Sequence, residues 1–232
     1  VVKARLLRQL FTALAVSVVA IRHAHSQGVV RGKITLLERA GAAAHDLEDA
    51  VVYLEPTVRT AKDPRDVYAT GEIDMRHREF APHVQIVRVG GTVSFPNSDP
   101  FSHNVFSNSA LGAFDLGLYR SGVTRGFAFP RAGVYAIYCN IHARMVSFVV
   151  AVTTPWVTIV GADGQFSISS VPAGTYRLHA WHERASEMVQ ELVVTSAGSN
   201  AIALSLDARG YVAKPHPNKF GAPYPLTRAD RY

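Results

Sequence analysis

The chain has 232 residues, with 24 Lys and Arg against 18 Asp and Glu, and Cys139 as its single cysteine. Four of the cations, Lys3, Arg5, Arg8 and Arg22, precede residue 27 without an acid among them, so the remainder carries 20 basic and 18 acidic side chains, a net charge of +2. That balance excludes a domain built to hold nucleic acid by charge, and one cysteine excludes an internal disulfide.

Residues 1–26 join those cations to an apolar run from Leu10 to Ile21, broken only by Thr12 and Ser17, and then to Ala24-His25-Ser26. The pattern predicts a secretory signal peptide, too short to span a membrane and cleaved before Gln27, which places the mature protein in the periplasm. A free thiol is a liability in an oxidising compartment unless something occupies it.

From Gln27 onward the sequence reads as all-β. Gly28–Leu36 alternates with the strand period and Ala50–Leu54 follows it, both expected as opening strands of a first domain, residues 27–154. Charged residues between Pro56 and Gly71 predict an exposed connection, and Val84–Val89 and Gly91–Phe95 resume the sheet. The stretch 108–125 fits neither period and is expected as a loop or short helical insert, before a strand at Phe127–Phe129.

Ala132–Tyr138 and Val146–Val152 predict two further strands, joined by Cys139-Asn140-Ile141-His142-Ala143-Arg144-Met145. That short connection holds a thiolate, an imidazole and a thioether at Cys-x2-His-x2-Met spacing. A second imidazole, His103, follows the turn-rich Pro96-Asn97-Ser98-Asp99-Pro100 at the end of another predicted strand. Two histidines and a cysteine, with methionine as a weak fourth donor, suit a mononuclear copper ion cycling between Cu(I) and Cu(II); the soft thioether argues against zinc.

After Thr154-Pro155 the pattern changes. A hairpin with Asp163-Gly164 at its turn is followed by Val171–His182, Glu191–Val194 and Ala201–Leu204, a small module at residues 155–207 expected to pack on the first domain. Residues 208–232, rich in proline and aromatic side chains, are either an extended strap across the surface or disordered.

Gly133-Val134-Tyr135 through Cys139-Asn140-Ile141-His142, with Pro96-Asn97-Ser98-Asp99 and Ser102-His103-Asn104-Val105, resembles the cupredoxins of the amicyanin and plastocyanin kind. The resemblance implies a Greek-key β-sandwich with one type 1 copper held by His103, Cys139, His142 and Met145, and Asn104 hydrogen-bonding near the ligand loop. Asp163-Gly164-x-Phe166 and Val171-Pro172-x-Gly174-x-Tyr176-x-Leu178 resemble carboxypeptidase regulatory-like, transthyretin-like β-sandwich modules. The order of the parts is similar to exported proteins of the methylamine-utilisation type.

These resemblances imply a carrier of single electrons rather than an enzyme, meeting a redox protein such as a c-type cytochrome or a dehydrogenase. The exposed edge of His142 is expected to lie in an apolar patch of Ile141, Ala143, Phe101 and Leu111. The sequence carries no nucleophile elbow, phosphate loop or paired-carboxylate motif, and Tyr138 and Asn140 flank Cys139 where copper oxidases and nitrite reductases place wiring histidines. Copper storage, delivery or resistance is the alternative, with Met75, His77 and His83 as an accessory site. His179 and His182 are expected to serve packing or lie at the surface.

Overall fold

The computed structural model describes residues 27–40, 46–58 and 68–224. The signal-peptide reading, part of the charged connection and the last eight residues fall outside them. Seventeen strands follow in chain order, with one turn of 3-10 helix (Leu47–Asp49) after the first. They are β1 (Gln27–Leu37), β2 (Val51–Pro56), β3 (Thr70–Glu72), β4 (Asp74–Arg76), β5 (Glu79–Ala81), β6 (Val84–Arg88), β7 (Thr92–Pro96), β8 (His103–Ser107) and β9 (Phe114–Tyr119). Then come β10 (Thr124–Ala128), β11 (Gly133–Tyr138), β12 (Val146–Val152), β13 (Val157–Ile159), β14 (Gln165–Pro172), β15 (Gly174–His182), β16 (Ala185–Val194) and β17 (Ser199–Asp207). The molecule is all-β, as its alternating apolar residues predict.

Strand pairing divides it into two sandwiches. One has sheets ordered β14-β1-β17 and β13-β2-β15-β16; the other has β6-β12-β11-β8-β9 and β10-β7-β3, with the β4-β5 hairpin at one end. The expectation that β1 and β2 open the domain of the Cys139 loop is therefore not met. β1 runs antiparallel to β14 (Val30↔Ile168) and parallel to β17 (Ile34↔Leu204), and β2 lies between β13 and β15 (Tyr53↔Val157, Leu54↔Leu178). Alternation in β1 buries Val30, Ile34 and Leu36 against Phe166, Ile168 and Leu204, leaving Arg31, Lys33 and Thr35 outward. With two N-terminal strands added, the C-terminal module is not the marginal unit of about 50 residues that its sequence span suggested. It is a frame, and the second sandwich is inserted between β2 and β13.

The frame and the insert dock through a separate apolar seam. Val51 and Trp181 of the frame meet Val84, Ile86, Val150 and Val152 of the insert, and Phe148 lies 5.4 Å from Trp181 between ring centroids. β12 explains the unbroken apolar run at 148–152: Val149 and Ala151 face the insert's core while Val150 and Val152 face the seam, so both sides of the strand are covered.

Where a loop or helix was expected at 108–125, the chain forms β9 and begins β10. Their half-exposed faces hide the strand period. Gly133 takes φ +131°, and a Cβ there would collide with Leu111, which covers the end of β11 remote from Cys139.

Candidate metal centre

Two strand ends and one tight loop assemble the site. β8 starts at His103, and β11 ends one residue before Cys139, with Tyr138 paired to Phe106. The loop closes on itself: the Met145 amide donates to the His142 carbonyl (3.0 Å) and the Cys139 amide to the Met145 carbonyl (3.3 Å). β12 leaves at once after Met145, so both ends of the loop are held by one antiparallel pair.

His103, Cys139 and His142 bring one donor atom each within 4.8 Å of one another, the one such group of His, Cys, Asp and Glu among the described residues. Cys139 Sγ lies 3.8 Å from His103 Nδ1 and 3.7 Å from His142 Nδ1. Metal–nitrogen bonds of about 2.0 Å and a metal–sulfur bond of about 2.3 Å, meeting at roughly 110–130°, give sulfur–nitrogen edges of about 3.5–3.9 Å. The three residues thus fit a single trigonally held ion. Met145 is buried and its backbone bonds to both Cys139 and His142, which leaves its thioether as the candidate fourth donor.

His103 is fully buried and its outer nitrogen, Nε2, lies 2.7 Å from Asp99 Oδ2. A carboxylate only accepts here, so Nε2 carries a proton and Nδ1 is turned to the sulfur side. Asp99 is itself held by the β4-β5 hairpin. Its carboxylate accepts the His77 amide (2.7 Å) and the Arg78 amide (2.9 Å), both from left-handed turn residues (φ 56° and 62°) whose conformation those bonds help to offset. Burial pushes the Asp99 carboxyl upward, but these amides and His103 outweigh it and hold it below the usual range.

The charges at the centre are coupled in the same way. Burial disfavours the Cys139 thiolate, yet His103 and the amides of Asn104, Ile141 and His142 outweigh it and lower the thiol. Burial likewise opposes protonation of His103, and Cys139 and Asp99 outweigh it upward. His142 is pushed down by burial, then by His103 and Arg78, so its imidazole is ready to bind as the neutral form.

The structure thus gathers His103, Cys139 and His142, brings the Met145 backbone onto the same loop, and has the Asn104 side chain donate to Asp115 (2.7 Å). It does not gather the accessory set. Met75 is fully buried in the insert's core, and His83 forms an ion pair with Glu183 across the seam (3.3 Å). Leu111 is remote from the loop. Phe101 stands 5.1 Å from His103 and 6.0 Å from His142 between ring centroids, and Ile141 is exposed. Exposed Leu118, opposite Asn104 on β9, was not singled out in the sequence. Neither His179 nor His182 lies at the surface; both are buried, His179 stacked on Tyr53 at 4.4 Å. Sequence reading also missed Asp99 as a partner of His103. A carboxylate four residues before a candidate ligand, inside a turn, was the available signal.

No protein-family model matches the chain, and no curated protein matches it. Partial overlays connect it with solved structures. A purple cupredoxin from Nitrosopumilus maritimus is 23% identical, over 35% of this chain and 99% of its own, with a TM-score of 0.33. A Cu(I) amicyanin variant is 19% identical, over 45% and 99%, at 0.34. A Cu-containing nitrite reductase from Thermus scotoductus SA-01 is 21% identical, over 51% and 28%, at 0.33.

Proposed function

We propose that the inserted sandwich is a cupredoxin-type domain binding one copper ion, and that the protein is an exported carrier of single electrons. His103, Cys139 and His142 would hold the ion, with Met145 as a weak fourth donor. The observation that carries this reading is the pair of sulfur–nitrogen edges, 3.8 and 3.7 Å, in a loop that ends on a buried methionine. Bound copper would supply one-electron chemistry between its two oxidation states, tuned by the fourth donor and by hydrogen bonds to the cysteine sulfur.

The chain's own residues keep the geometry fixed between those states. Asp99 orients His103, the loop's internal hydrogen bonds set the spacing of Cys139, His142 and Met145, and buried apolar side chains exclude water. The partly exposed His142, beside Phe101 and exposed Ile141, is the edge offered to a redox protein such as a c-type cytochrome or a dehydrogenase. A small apolar contact suits quick release. Tyr138 and Asn140 beside Cys139 offer no histidine relay to a second reactive centre, which favours a carrier over an enzyme. The separation of core-bound Met75 from seam-bound His83 weighs against storage or delivery through an accessory site.

The test is the visible spectrum of the copper-loaded, oxidised protein. An intense thiolate-to-copper band is expected, lost in Cys139→Ser and retained in Met145→Leu with a raised reduction potential. A colourless protein carrying one Cu(II) per chain would sink the assignment.

A further inference from the structure

The chain does not end at the frame. After β17, residues 208–224 cross from the frame to the outside of the Cys139 loop. The crossing starts at a turn tied to β1 through the Ala208 amide and the Leu37 carbonyl (3.0 Å). A cleft of about 860 Å³, bordered by Tyr138, Arg144, Glu183 and Tyr211, separates part of this strap from the body. Its specific contacts with the loop are therefore concentrated at a few points.

Those points converge on the backbone around the cysteine. The Tyr224 hydroxyl donates to the Cys139 carbonyl at 2.6 Å. A small turn, in which Asn218 Oδ1 accepts the amides of Phe220 (2.9 Å) and Ala222 (3.1 Å), presents the Lys219 amide to Asn140 Oδ1 (3.0 Å). Lys219 Nζ pairs with Asp115 at 2.6 Å, and Asp115 accepts from the Asn104 side chain. His216 lies flat on Tyr138, ring centroids 4.1 Å apart and planes 22° apart, with the Tyr224 ring edge-on to it at 5.2 Å.

The Tyr224 and Lys219 contacts bear on the backbone that surrounds the sulfur. The Ile141 and His142 amides follow the Cys139–Asn140 unit that Tyr224 and Lys219 grip, and the Asn104 amide belongs to the residue that Lys219 reaches through Asp115. The backbones of Asn104, Ile141 and His142 are among the groups that lower the Cys139 thiol. Hydrogen bonds around a copper-bound cysteine sulfur tune its reduction potential.

We propose that the strap is an outer wall of the metal centre. Tyr224 and Lys219 are positioning residues that fix the backbone of Cys139–Asn140 and of Asn104 around the sulfur and thereby set the reduction potential. The effect on potential rests on the copper reading above; the grip on the amides does not. Tyr224→Phe keeps the ring and removes only the hydroxyl. In the metal-free full chain it should speed hydrogen exchange at the Ile141 and His142 amides by about 3–10-fold, the effect of one net hydrogen bond. Lys219→Ala should speed exchange at Asn104, and Tyr211→Phe, altered at the cleft away from the loop, should change neither. In the copper-loaded protein, Tyr224→Phe should lower the potential, because weaker amide donation leaves the thiolate a stronger donor to Cu(II). Unchanged exchange at Ile141 and His142 in Tyr224→Phe would overturn the proposal. So would faster exchange with an unchanged potential, which would make Tyr224 a stabilising contact only. Failure of the wild-type chain to take up copper would remove the copper reading and the effect on potential with it, while exchange would still decide whether the strap holds the amides.

Discussion

The frame and the insert are both two-sheet sandwiches, yet they use their interiors differently. The frame's apolar core is sealed by residues such as Ile34, Leu54, Phe166, Leu178 and Leu204, and its buried imidazoles, His179 and His182, lie outside that cluster. The insert instead buries Asn97, Asp99, His103, Asn104 and Cys139. Buried polar groups are costly unless they find partners, and here Asp99 alone joins His103 to two backbone amides. Partnered polar burial marks the region that carries the candidate metal centre. A sealed apolar core marks the one that holds and positions it.

The sharpest way to break this division is to separate the parts. Joining Pro56 to Trp156 by a short turn should leave a frame that melts cooperatively, since β2, β13 and β15 remain paired without the insert. Residues 27–154 should fail to fold as a unit. There β1 and β2 lose β14, β15 and β17 and expose Val30, Ile34, Leu36, Val52 and Leu54, each contributing roughly 1.5–3 kcal/mol when buried. Circular dichroism and thermal melting distinguish the outcomes. A stable 27–154 fragment with β1 paired inside the insert would refute the division.

At the seam, Trp181→Ala should cost about 3–5 kcal/mol in denaturant unfolding while leaving the copper spectrum intact, because Trp181 contacts Phe148 rather than the ligand loop. Inside the insert the expectation reverses. Asp99→Asn should weaken metal affinity about 10–100-fold, the usual scale for losing a ligand's hydrogen-bond partner, and raise the potential as His103 becomes a poorer donor. Metal titration with a competing chelator measures the first, and unfolding of the frame should not move.

The smallest effect is a pH dependence of docking. His83 is raised: burial lowers it, but the Glu183 hydrogen bond and charge outweigh that. Glu183 is lowered by the same pair against burial. A raised histidine stabilises the folded state below its unfolded value near 6.5, an effect lost as pH climbs through the folded value. A lowered glutamate stabilises above its unfolded value near 4.5, an effect lost as pH falls through the folded value. The pair should therefore strengthen the seam most between about pH 4.5 and 6.5, by less than about 1 kcal/mol for a partly exposed ion pair. The difference in melting temperature between wild type and Glu183→Gln, followed from pH 4 to 8, should peak in that window.

The candidate centre was legible because three of its four candidate donors lie within seven residues, bounded by two apolar strands, with His103 at a strand end following a turn-rich segment. What surrounds it was not. Lys219 and Tyr224 meet Asn140 and Cys139 from about eighty residues away, and no local pattern announces such a contact. The assignment of β1 and β2 failed for the same reason. Alternation in Gly28–Leu36 predicts a strand and its buried face, but not that its partners lie at Ile168 and Leu204. In β9, neither Leu116 nor Leu118 is fully buried, so burial does not enforce the alternation that reveals a strand.

The nested connectivity also orders events in synthesis. A chain that emerges from its N-terminus presents β3–β12 as one uninterrupted stretch, so every strand of the insert is available before the frame can close. β1, by contrast, must wait for β14 and β17, and loop closures of that span are slow to form. The strap emerges later still. A newly made molecule therefore has all four candidate ligands out before Tyr224 exists to cover them, leaving an interval in which the ligand loop is open from the side that the mature protein closes.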